Sequence, residues 1–145
     1  MSASVGKRII LAFWTLWIGI IATTNLFSLL KALRLVDGAV PFASHNFDLV
    51  RGYLATYRLP TNFAIIAFVG VVLWQFATAV LFCRALTDIA NKKATNAAIG
   101  AGLALFAAFL VAGELFLRFD FEAIHIRIFM ALMLSWLVIH LLPND

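Results

Sequence analysis

Apolar residues fall in four long blocks along the chain, separated by short polar stretches. The first block runs from Ile9 to Leu30. Its 22 residues, at about 1.5 Å each, match a hydrocarbon core of about 30 Å. The second, Asn62 to Phe82, holds no charge, and the third, Ala97 to Leu117, holds one, Glu114. The fourth runs from Ala123 to Leu142 and Pro143 closes it. This pattern predicts an all-α membrane protein, a four-transmembrane-helix antiparallel bundle in which residues 1–145 form a single integral membrane domain. Only such a bundle satisfies the backbone of these blocks in lipid, since alternating ten-residue strands of the β-barrel kind are absent from the sequence. The short link from Arg118 to Glu122 makes the third and fourth spans antiparallel neighbours. Lys7 and Arg8 before the first block resemble the charged start of a signal peptide. The block is longer than the roughly 7–15 residues of a signal core, so it is expected to remain as a helix.

The longest polar stretch, residues 31 to 61, carries its own period. Phe47, Val50, Leu54 and Tyr57 recur at steps of three and four, while Asp48, Arg51 and Arg58 lie elsewhere. A short helix lying at the membrane interface is predicted there, ended by Pro60. Arg84, Asp88, Asn91, Lys92, Lys93 and Asn96 make a compact polar connection between the second and third spans.

Composition strengthens this picture. Hydrophobic residues are 64% of the chain and charged residues 12%, against roughly half and about a quarter in soluble domains. The bilayer is therefore the expected partner. The net charge of +4 is scattered over the span ends, where cations touch lipid headgroups. No basic face of the kind a nucleic acid needs is visible. The single cysteine, Cys83, excludes an internal disulfide and reads as a small apolar residue near a helix end.

Charge also bears on orientation. With the N-terminus inside, Lys7, Arg8, Arg84, Lys92 and Lys93 face Lys31, Arg34, Arg51, Arg58 and Arg118, a tie by number. The first set sits in short segments, where the positive-inside rule acts most strongly, and the other side holds Asp37, Asp48, Asp120 and Glu122. Both termini are expected on the cytoplasmic side.

In that topology Asn25, Glu114 and Arg127 lie at similar depth from one membrane face, with Thr23, Thr24 and His125 nearby. An ion at the bilayer centre costs about 2.5–3.5 kcal/mol on insertion scales, so such residues turn inward and find partners. Arg127 is the expected partner of Glu114, and Arg118 competes from four residues along the same helix. Stripes of small and polar residues support inward faces: Arg127, Ala131 and Ser135; Thr15, Ala22, Asn25 and Ser28; Ala64, Ala67, Val71, Gln75 and Thr78. Gly100, Ala104, Ala108 and Ala112 form a small-residue seam for close packing. The polar set Asn25, Glu114 and Arg127, with Arg118, His125 and Gln75, reads either as glue that fixes helix register or as a proton, ion or ligand site.

The three histidines are not expected to form a haem site. His125 and His140 are about 22 Å apart on one helix, and nothing fixes His45 against His125. No catalytic set, phosphate loop or metal-ligand spacing occurs in the sequence. No catalytic residue, metal or cofactor is expected.

The chain resembles the bacterial family of predicted small integral membrane proteins known as domain of unknown function 2165. The likeness lies in the Asn25 region, the stretch Ser44, His45, Asn46, Phe47, the Gly113-Glu114 pair, Arg127, and Leu142-Pro143 followed by an acid. It departs at Gln75, where an acid stands in the family, and in Leu115 to Phe121, which replaces a Trp-rich turn. The resemblance implies four helices in a bacterial inner membrane and brings no activity with it. The leading functional expectation is a non-enzymatic homo-oligomer or accessory subunit of a membrane complex. A small oligomeric transporter or channel using Glu114, and a quinone- or haem-associated subunit, are the alternatives.

Overall fold

The structure, a computed structural model, describes residues 3–119 and 122–143. Asp120, Asp145 and the middle of the 118–122 link lie outside these. Five helices follow one another: α1 (Ala3–Ala32), α2 (Asn46–Thr56), α3 (Thr61–Thr87), α4 (Lys92–Leu115) and α5 (Glu122–Leu141). No strand occurs among the described residues. All but α2 are long and apolar enough to cross a membrane. α2 stands where the period of Phe47, Val50, Leu54 and Tyr57 put it, with Phe47 and Leu54 buried, but it ends at Thr56 ahead of Pro60, so Tyr57 is its exposed C-cap.

The helices outrun the apolar blocks. α1 begins at Ala3 rather than Ile9, α3 continues to Thr87 and α4 starts at Lys92. Hydropathy marks the hydrocarbon depth alone, whereas helical bonding continues through the headgroup layer. The 30 residues of α1 span about 45 Å, close to the thickness of a whole bilayer.

Three helices end in the same way. Arg34, Arg58 and Leu117 take positive φ, at 59°, 55° and 55°. After α1 the amide of Arg34 bonds Lys31 O and that of Leu35 bonds Leu30 O. The amides of Arg58 and Leu59 bond Ala55 O and Leu54 O after α2, and those of Leu117 and Arg118 bond Glu114 O and Gly113 O after α4. These are Schellman caps, which usually place glycine at the left-handed position.

The chain divides into two compact units. The first comprises Met1–Ile18 and Ala77–Asp145. Its core gathers Leu11, Trp14 and Ile18 from α1, Phe82 and Ala85 from α3, Ala98, Ile99, Leu105 and Phe106 from α4, and Leu132 and Ile139 from α5. α4 packs against α5, as their short link requires. The close approach is made by Gly102, where an added Cβ would stand 3.3 Å from a Leu132 methyl and 3.5 Å from Phe82. The expected seam is corrected here: Gly100 and Ala104 are exposed, and nothing lies within 4 Å of a Cβ at Gly100.

The second unit is Gly19–Phe76, made of the end of α1, the loop, α2 and the start of α3. Ala22, Asn25, Ser28 and Leu29 are buried along α1, and Ala64, Phe68, Val72 and Gln75 along α3. α2 joins them through Phe47, whose ring meets Phe68 edge-on at 5.6 Å.

Candidate functional site

Asn25 is the polar centre of the second unit. It is 2% exposed and Gln75 is 3% exposed, so each needs partners inside the protein. The Asn25 Nδ2 donates to Gln75 Oε1 at 2.9 Å. Its Oδ1 accepts from Ser44 Oγ at 2.6 Å and from Asn46 Nδ2 at 2.8 Å. The loop is held further by the Ser44 amide, which donates to Thr24 O. Ser28 Oγ accepts from the Phe47 amide at 3.3 Å and Ser44 Oγ from the Asn46 amide at 3.3 Å. These two hydroxyls answer orphan donors in the first turn of α2, whose own N-cap residue, His45, makes no side-chain cap. Among the described residues no side-chain nitrogen or oxygen sealed from the surface lacks a partner.

The structure thus brings Asn25 and Gln75 together and adds Ser28, Ser44 and Asn46. Ser44 and Asn46 lie in the stretch singled out by family likeness, but no helical period could tie them to Asn25.

The ion pair expected between Glu114 and Arg127 does not form. Both belong to the first unit and both are exposed. Neither side chain has a hydrogen-bond or ion-pair partner among the described residues. Glu114 does not take Arg118 instead; Arg118 has a contact of its own. On α5 the inward residues are Leu132 and Ile139, so the Arg127–Ala131 face points out of the chain. Ser135 is the exception: its Oγ accepts from Trp14 Nε1 at 2.9 Å and donates to Ala131 O. The ion pair between described side chains is Arg51 with Asp48, 2.9 Å apart and exposed on α2.

His125 is half-buried against Phe106 and Phe109, with ring centroids 6.3 and 5.1 Å away. His140 packs on Trp136 at 4.7 Å, and its Nδ1 stands 2.9 Å from Trp136 O. Among the described residues no three His, Cys, Asp or Glu side chains gather to hold a metal. Cys83 is exposed.

Among the described residues a cavity opens on the surface of each unit. In the second unit a groove of about 310 Å³ runs along α2 and the start of α3, past Asp48, Arg51, Leu54, Pro60 and Ala64. In the first unit a smaller cavity of about 40 Å³ is bounded by Lys7, Ile89, Lys92, Thr95, Ile139 and His140. Comparison with family models, with curated proteins and with solved structures finds no match in any of the three.

Proposed function

We propose that the protein is a non-enzymatic integral membrane protein of the bacterial inner membrane, both termini cytoplasmic, that acts by association. Its partners are further copies of itself or the subunits of a larger membrane complex. The observation that carries this reading is the polar surface left over in the first unit. Arg127 and Glu114 are exposed and have no side-chain partner among the described residues, although an unpaired ion at membrane depth is costly. They sit on the two helices with the most to offer a neighbour. α5 has 11% of its most apolar stretch buried, against 28% for each other span, and α4 leaves the Gly100–Ala104 side of its small-residue seam open. A two-fold interface repeats every contact, so Glu114 of one copy facing Arg127 of another would neutralise both charges twice. The seam permits the close backbone approach that drives association in lipid. Because Glu114 lies outside the chain's own core, a conduction path that used it would be built between copies.

A gentle pull-down from native membranes, with every co-purifying chain identified and differently tagged copies co-expressed, tests the reading. Recovery of the second tag or of a reproducible set of partner subunits is expected. A lone monomer would overturn it. Reporter fusions at Asp145 and within the loop at Gly38 test the orientation, which fails if an externally active reporter works at Asp145.

A further inference from the structure

We propose that the cavity between Lys7, Lys92, Thr95 and His140 binds the phosphodiester headgroup of an anionic phospholipid. Its walls come from three helix ends: the second turn of α1, the first turn of α4 and the last turn of α5. Spans end where headgroups begin, so the cavity sits at the level of lipid phosphate. Its volume of about 40 Å³ is about three times what one water requires, room for a tetrahedral group rather than a lone solvent molecule.

The lining matches an anion. Lys7 is 5% exposed, engages the chain itself, and contributes an ammonium held within the protein body. Lys92 adds a second, exposed one. No carboxylate is among the described residues that line the cavity. Thr95 is 3% exposed, yet its hydroxyl makes no hydrogen bond to a described residue, which leaves a donor at the cavity wall. The N-terminal turn of α4 adds its positive end, with Asn91 Oδ1 already occupied by the Ala94 amide at 3.1 Å. His140 donates from Nδ1 to Trp136 O, which fixes its ring at one side of the cavity. Exposed Leu137 and Leu141 on α5 offer the acyl chains an apolar track that a free phosphate would not use.

Native mass spectrometry of the full chain in detergent, with phosphatidylglycerol or phosphatidylcholine added in equal amount, tests the site. One phosphatidylglycerol retained per chain is expected. Lys92→Gln and Thr95→Val each weaken retention, Lys92→Gln by about fivefold, while Lys93→Gln leaves it within about twofold. Lys7→Gln joins the series if it folds, and Lys92→Gln carries the test if it does not. Equal retention of phosphatidylcholine would overturn the proposal, as would an equal loss with Lys93→Gln, which would mean diffuse attraction. Displacement of the lipid by millimolar inorganic phosphate would assign the cavity to a free anion instead.

Discussion

Asn25 uses both ends of its amide, the nitrogen toward Gln75 on α3 and the oxygen toward Ser44 of the loop and Asn46 at the start of α2. Replacing it with alanine strands Gln75, Ser44 and Asn46 together. The expected loss is about 1–3 kcal/mol, read as a lower melting temperature in detergent. In a double-mutant cycle of Asn25→Ala with Gln75→Ala, coupling of about 0.6–1.7 kcal/mol is expected, the range of hydrogen bonds between membrane helices. Additive effects would mean that the two amides do not meet in solution. How much of this site was legible follows from the same residues. Buried Ala22, Asn25 and Ser28 share a stripe of small and polar side chains that a period reveals. Ser44 and Asn46 approach from the end of the loop and the start of α2, 19 and 21 positions away, and no period crosses a loop. Glu114 and Arg127 show the converse limit. Their depth along the membrane normal can be counted in the sequence, but the direction in which each points around its helix is decided by packing.

That azimuth explains the seam on α4. Residues four apart rotate by about 400°, so each step drifts by about 40° and three steps by about 120°. Gly100, Ala104, Ala108 and Ala112 therefore wind away from any one neighbour. The buried set Thr95, Ala98, Ile99, Gly102, Leu105 and Phe106 falls at i, i+3, i+4, i+7, i+10 and i+11 and stays on one side. The two glycines should answer the same substitution in opposite ways. Gly102→Ala crowds Leu132 and Phe82 and is expected to destabilise by about 1–3 kcal/mol. Gly100→Ala meets nothing within 4 Å and gains up to about 1 kcal/mol of helix propensity. Thermal unfolding of the two variants under dilute conditions checks the contrast, and a similar response from both would refute this assignment of faces. Overall helix placement was readable because apolar blocks of some twenty residues admit one structure in lipid. The helix ends were not, since polar residues that bond in the headgroup layer carry no hydropathy signal.

For the whole molecule, the exposed charges give a test that separates the chain from its assemblies. Glu114→Gln and Arg127→Met are expected to act additively, within about 0.3–0.5 kcal/mol, when the protein is dilute and monomeric in detergent. Coupling should appear as concentration rises and copies associate. Coupling that is strong and independent of concentration would place the two residues together within one chain, against the exposure seen for both. The borrowed capping of α2 carries a different consequence, for the order in which the molecule is made. An 11-residue helix is marginal alone. This one takes donors' partners from Ser28 and Ser44 and an apolar floor from Phe68. During synthesis at about 5–20 residues per second, the loop emerges a few seconds before Gln75 does. Until α3 arrives, the Asn25 amide and the loop have only each other, and α2 is a helix in waiting whose formation reports that the second span has been inserted.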